Sequence, residues 1–565
     1  MTAWTPGRLR RSVPGVSAGD LRAGLVLGLV SVPDGLASGL LAGLNPLAGL
    51  YGYLFGTLAG ALATSSVVMA VQGTGAMAVI LSDVPGLTGP EGASTLATLG
   101  VLTGLLMLVA GMARLGALVR YVPNAVLTGF VNAVAVNIVI GQLAGVTGFS
   151  SGASNRLLRA LDTLTNVPSF HAPTVVAAAL TTGLIVLLER TRLGSLGLVL
   201  AIVVVSTGVA LAPGAGIPIL ADLASVPRGL PVPLLPRLES AVAMLVPAAS
   251  LAFVGLVQGA AISQSLPNPD GTYPDPSRDF AGQGIANLAA ALFRGMPVGG
   301  SMSATSLAVS AGARGRVANL TAAAVMLVTI LLFGEAAGFI AMPALAALLM
   351  VIGIRTFKVD QALMVWRTGT TQAVVMSVTF VLTLLVPMQY AVLAGVGISV
   401  ILFVARQSNR VTVVRWVLPE GGGLPVESAP PPELAARDIV ALTPYGSLFF
   451  ASAGVFEGQL PAVTAASAGG VVVLRLRGKE DLGSTFIRTI VRYSDSLRAA
   501  DAHLVLAGVG ERVLNQLRST GSLERLGEAN VLAATPTVGK SLLAGMARAR
   551  ELQEQPSDVE GAAGE

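Results

Sequence analysis

The sequence predicts an α-helical membrane protein of fourteen transmembrane segments, built as two inverted copies of seven, with a small cytoplasmic α/β domain after them. Composition is the first sign. Of 565 residues, 53% are hydrophobic and only 12% charged, and mean hydropathy is +0.75, whereas soluble domains carry about 25% charge. The second is continuity: apolar runs of spanning length follow one another from near Leu21 to about Arg406, after which ordinary charge returns. The third is a pair of interruptions, Val71 to Ser82 and Gly295 to Arg316, each too short and too rich in Gly, Ser and Thr to cross a bilayer. Two such segments at matching places in two halves mark inverted repeats.

Composition also excludes. There is no cysteine, hence no disulfide framework and no thiolate metal site, and the two histidines (His171, His503) cannot form a metal cluster. No nucleophile–base pair or phosphate loop appears, so no enzyme and no bound cofactor are expected. The net charge of +5 does not imply nucleic acid, because Lys and Arg are spread over short loops instead of one face.

In order, residues 1–20 form a cytoplasmic arm with no signal-peptide core. The segments are expected near 21–42, 45–64, 73–84, 94–113, 123–143, 173–190, 195–212, 240–262, 280–293, 301–312, 317–333, 336–354, 370–387 and 389–405. Together 21–407 make the membrane domain. With the N terminus inside, 17 Lys or Arg of the short loops fall on the cytoplasmic side and 5 outside, which sets both termini in the cytoplasm of a multi-pass plasma-membrane protein. Residues 408–437, with PEGGGLPVESAPPPEL, read as a linker. Across 438–550 strands (438–443, 447–450, 470–476, 503–507, 530–533) alternate with helices (453–466, 484–499, 510–518, 536–549), the pattern of a small sheet with helices packed on it. Residues 551–565 read as a disordered tail.

Chemistry collects in the membrane domain. Unpaired backbone cannot face lipid, so the two broken segments should line a cavity. Free amides at a helix start carry partial positive charge and suit an anion. Gly73, Thr74, Gly75 and Ala76 open the first; Ser301, Ser303 and Ala304 open the second. Their hydroxyls either cap those helices or touch the solute, or both. Asp34, in the first span beside Pro33, is a charge in an apolar stretch and marks a solute or ion path, unless it caps a helix near the interface. Gln258 in span eight donates and accepts but does not titrate. It either borders the cavity or bonds a neighbouring helix.

These residues resemble the sulfate permease (SulP) family of anion transporters, which end in a STAS domain. The similarity covers about 15 to 550. It rests on Pro33-Asp34-Gly35-Leu36-Ala37-Ser38 followed by Leu41-Ala42-Gly43-Leu44-Asn45-Pro46-Leu47-Ala48-Gly49-Leu50-Tyr51. It rests also on Gly73-Thr74-Gly75-Ala76, on Gly300-Ser301-Met302-Ser303-Ala304-Thr305 with Ala311-Gly312-Ala313-Arg314, and in the last domain on Ser447-Leu448-Phe449-Phe450-Ala451 and Asp481-Leu482-Gly483-Ser484-Thr485. The resemblance implies a core domain moving against a gate domain, a homodimer, and an anion bordered by Asp34, Ser38, Gly75, Ala76, Gln258, Ser303 and Ala304. Three positions depart from the pattern: Ala304 replaces an arginine, Gln258 an acidic residue and Ser38 an aromatic one. Coupling to Na+ or H+ then falls to Asp34.

The function expected is secondary transport of bicarbonate, sulfate, chloride or a dicarboxylate by alternating access. The alternatives are a nucleobase-type permease of the same fold, or a membrane-anchored scaffold whose STAS domain binds a cytoplasmic partner. For that domain, Ser484 and Thr485 either cap a helix or accept a regulatory phosphate.

Overall fold

Apolar length sets the architecture. The computed structural model describes residues 17–89, 91–116, 123–153, 156–222, 229–386, 411–419 and 424–554, with single positions between 390 and 405. The chain divides into two compact units, Met1–Ser399 and Val400–Glu565. Among the described residues, eight helices are long and apolar enough to cross a membrane.

The first half of the membrane unit runs α1 (Ala18–Leu41), α2 (Pro46–Ala63), strand β1 (Val71–Gln72), α3 (Gly75–Ser82), α4 (Gly92–Met112), α5 (Asn124–Gly141), α6 (Leu143–Thr147), α7 (Arg156–Thr165), α8 (Ala172–Glu189) and α9 (Leu196–Ala210). The second runs α10 (Ala241–Ser265), α11 (Pro276–Leu292), strand β2 (Gly299–Gly300), α12 (Met302–Ser310), α13 (Arg316–Ala337), α14 (Met342–Thr356), α15 (Val359–Thr368) and α16 (Thr370–Leu385). Each expected segment from the first to the thirteenth has its helix. The fourteenth, 389–405, falls largely outside the described residues. Helices α7 and α15 were not anticipated. Each has only ten residues, and both sit in loops, where a short amphipathic pattern is easily read as irregular chain.

Helix α1 packs on α2 and α13, α11 on α2 and α4, and α10 on α4 and α11; separately, α5 packs on α14 and α16, and α8 on α9 and α14. These are two bundles, one holding the broken segments and one beside it. Local sequence explains the ends. Ser17 caps α1 by accepting from Asp20 N, and Pro46 at the first turn of α2 follows the cap residue Asn45, which accepts from Leu47 N. Asp20 is buried and its Oδ1 accepts from the amides of Arg314 (2.7 Å) and Gly315 (2.9 Å), which ties the start of α1 to the start of α13.

In the second unit, strands β3 (Thr412–Val417), β4 (Val426–Ser428), β5 (Ile439–Tyr445), β6 (Val471–Arg475), β7 (His503–Val509) and β8 (Val531–Ala533) form one sheet in the order β4-β3-β5-β6-β7-β8. The pairs from β5 to β8 are parallel. Helices α17 (Ala453–Glu457), α18 (Ser484–Ala499), α19 (Glu511–Ser519), α20 (Ser522–Leu526) and α21 (Lys540–Glu554) accompany it. Leu504 and Leu506 share a cluster with Phe486, Ile490 and Val513, whereas Val505 and Ala507 share another with Leu542 and Ala549. Both faces of the sheet are therefore covered, as parallel strands require.

Three expectations are corrected here. The stretch 408–437 is not simply a linker, because β3 and β4 belong to it; Val413 is buried against the sheet core. The helix expected over 453–466 stops at Glu457, with Gly458 and then Pro461 unable to continue it. No strand forms at 447–450, where a 3-10 turn begins at Phe450.

Candidate functional site

The two halves of the chain meet at a two-residue antiparallel pair, Val71 opposite Gly300 and Gln72 opposite Gly299. Ser301 N extends it by donating to Ala70 O at 2.9 Å, and Ala70 N donates to Thr305 Oγ1 at 3.0 Å. Each strand is followed almost at once by a half-helix. Because the strands run antiparallel, the chain leaves the pair in opposite directions toward α3 and α12. Both are short, with eight and nine residues, against about 20 for a span. Thr74 caps α3, its Oγ1 accepting from Met77 N at 3.3 Å. Ser301 caps α12, accepting from Ala304 N at 3.3 Å and sharing a hydrogen bond of 3.2 Å with Ser303 Oγ. The amides of Gly75, Ala76, Met302 and Ser303 lie in the first turn, where no helical carbonyl stands four residues back to accept them. Ser303 is exposed, whereas Ala76 and Ala304 are buried.

Small residues permit the crossing. A Cβ on Gly300 would stand 2.7 Å from Gly259 Cα of α10, and one on Gly73 would stand 2.1 Å from Met296 Cε and 2.8 Å from the Tyr53 ring. At Gly300 only a bare backbone fits, whereas a side chain at Gly73 would push aside the end of Met296 and the Tyr53 ring.

A buried polar lattice holds the pair from behind, and sequence reasoning missed it. On α11, Gln283 Oε1 accepts from Gly300 N at 2.9 Å. Asn287 both accepts from Val298 N (2.9 Å) and donates to Val298 O (2.7 Å). Asp279, a further turn back, accepts from the amides of Ser65 (2.6 Å) and Ser66 (3.0 Å) and from Ser263 Oγ (2.6 Å). Gln72 Nε2 donates to Ser31 Oγ (2.9 Å) and Thr57 Oγ1 (3.1 Å). The signal was available: Asp279, Gln283 and Asn287 recur every four residues within an apolar span, which places them on one helix face.

Asp34 and Ser38 are brought together by Tyr53, also unanticipated. Its hydroxyl lies 2.9 Å from Asp34 Oδ2, to which it donates, and 3.0 Å from Ser38 Oγ. Since the Tyr53 ring lies against Gly73, this trio adjoins the start of α3. Asp34 caps no helix; it lies inside α1. The aromatic group beside Ser38 is thus supplied by α2. Gln258 lies next to Gly259 on α10, and its Oε1 is buried without a hydrogen-bond partner, so the interhelical bond it could have made is not formed. Ser484 and Thr485 belong to the other unit, at the start of α18. There the cap residue is Gly483, with no side-chain cap bond, so neither hydroxyl caps the helix. Among the described residues, no group of acidic, histidine or cysteine side chains could hold a metal.

The chain matches the sulfate permease family over residues 18–379 and the STAS domain over residues 434–535. It is 26% identical over 551 residues to a probable sulfate transporter of Mycobacterium tuberculosis, covering 94% of this chain and 97% of that protein. It is 25% identical over 405 residues to the bicarbonate transporter BicA of Picosynechococcus, covering 69% and 71%. Among solved structures, the murine solute carrier 26 family member A9 anion transporter, in an inward-facing state, matches with a TM-score of 0.82 at 20% identity over 95% of this chain and 93% of that one. The transmembrane domain of a cyanobacterial bicarbonate transporter matches with a TM-score of 0.58 at 25% identity, covering 67% and 97%.

Proposed function

This chain belongs to the sulfate permease family of membrane anion transporters, and from that premise we propose that it moves small anions by alternating access, holding the anion between the starts of α3 and α12. The observation that carries the reading is the pair of short half-helices that follow the antiparallel strands, whose free amides offer partial positive charge without a fixed cation. Attraction by dipoles alone is weak enough to let the solute leave. Gly73, Thr74, Gly75 and Ala76 border the solute from one side and Ser301, Ser303 and Ala304 from the other, with Asp34, Ser38 and Gln258 around them. Bicarbonate, sulfate, chloride and dicarboxylates share the charge and size that this arrangement accepts.

Coupling to H+ or Na+ is assigned to Asp34, the carboxylate beside the start of α3. The bundle of α1–α4 and α10–α13 moves against that of α5, α8, α9, α14 and α16. Both termini lie in the cytoplasm of the plasma membrane, two copies form the working dimer, and the STAS domain receives a cytoplasmic partner or a phosphate at Ser484 or Thr485.

Uptake of labelled bicarbonate, sulfate, chloride and oxalate into proteoliposomes, under imposed pH and sodium gradients, tests this. At least one anion accumulates, and Asp34→Asn removes the gradient dependence while leaving exchange. Dependence unchanged in Asp34→Asn sinks the coupling assignment; no uptake of any anion favours the scaffold alternative.

A further inference from the structure

Arg156 opens α7, between α6 and α8. Its guanidinium Nη2 donates to Ser82 Oγ and to Asp83 Oδ1, both at 2.6 Å, and Nη1 reaches Asn137 Oδ1 at 3.5 Å. Ser82 is the last residue of α3 and Asp83 is its C-cap. Asn137 belongs to α5, and its Nδ2 donates to Thr383 O of α16 at 3.2 Å. Arg156 therefore joins the far end of the half-helix to Asn137 of α5, which in turn reaches α16.

Three physical features make this a directed contact. The ion pair is sheltered, with the Arg156 and Asp83 side chains 21% and 23% exposed, so water and salt screen it less than a surface pair. The planar fork of arginine serves several oxygens at once, which a lysine could not reproduce. The C-terminal end of α3 carries partial negative charge, so the cation sits where the helix dipole favours it. With eight residues, α3 is a rod about 12 Å long. Whatever fixes its far end also fixes the amides at its start.

We propose that Arg156 is a positioning residue that ties α3 to the bundle of α5 and α16, and that this tie breaks each time α3 separates from that bundle. The tie holds the conformation seen here and keeps the site closed from the side of the membrane on which α7 lies. Breaking it shifts the population toward a state open on that side.

The chain has no cysteine, so a single Ser303→Cys reports exposure without background. In vesicles of the full chain, an impermeant maleimide is added from the α7 side. Asp83→Asn, nearly isosteric, and Arg156→Ala each raise the labelling rate about tenfold, a coupling of ordinary size. Arg156→Lys gives an intermediate rate, and the exchanged pair Arg156→Asp with Asp83→Arg returns it to within about twofold of the parent. Labelling at the parent rate in both neutralised variants overturns the proposal. So does an exchanged pair that stays fast, since loss of packing alone would then explain the singles. Labelling needs no flux, so a chain that carries no anion would remove the proposed function and leave this tie standing.

Discussion

Asp279 shows how much one buried side chain can carry. Its two oxygens accept from Ser65 N, Ser65 Oγ, Ser66 N and Ser263 Oγ, and it is fully buried. Removing the acceptor strands buried donors, each costing about 1–3 kcal/mol. Asp279→Ala is therefore predicted to lower stability by roughly 3 kcal/mol or more, and Ser263→Ala by about 1 kcal/mol, read as shifts in thermal unfolding in detergent. At this scale the sequence was only half legible. Asp34 stood out because a charge among apolar neighbours has few explanations. Tyr53 did not, because a tyrosine in an apolar span reads as packing until its hydroxyl is seen between Asp34 and Ser38. Gln283 and Asn287 were hidden in the same way, since bonds between helix side chains and a distant loop backbone leave no mark beyond spacing.

At the scale of elements, the half-helices were legible because a bilayer imposes a length. An apolar run of eight or nine residues cannot cross, and small residues at its start let backbones approach closely. Their mutual packing was not legible, because it depends on which glycines of α10 meet which strand. Gly300→Ala is predicted to reduce uptake by at least tenfold with little change in secondary structure by circular dichroism, because the added Cβ would lie 2.7 Å from Gly259 Cα. Uptake equal to the parent would mean the close approach is not needed. The strand β7, in the second unit, offers a further test. Burial, the largest influence, holds the His503 imidazole below its ordinary value of 6.5, with Arg498 and Arg548 acting in the same direction and Asp501 against it. The unfolded chain then binds the extra proton first, so His503 costs stability as pH falls from above 6.5 through the lowered value. Amide exchange in β7, corrected for intrinsic rates, should accelerate as pH falls below 6.5, and His503→Gln should flatten this difference.

For the molecule as a whole, composition announced the membrane and the return of charge announced the second unit, because both are averages over many residues. The border between the two was harder. Pro and Gly between 418 and 432 suggested a linker, yet Thr412–Val417 pairs with Ile439–Tyr445, and a strand so isolated in sequence is recognised only by the partner it finds. Truncations that aim to remove the second unit should therefore cut before Thr412, where β3 begins, not at 438. At this scale one proposal stands above the others: a negative solute rests on backbone amides at the starts of α3 and α12. Crystals grown with bromide or selenate, measured for anomalous scattering, test it directly. A peak is predicted within hydrogen-bond reach of the amides of Gly75, Ala76, Met302 and Ser303. A bare gap between those helices, in a protein whose vesicles take up the same ion, would contradict it.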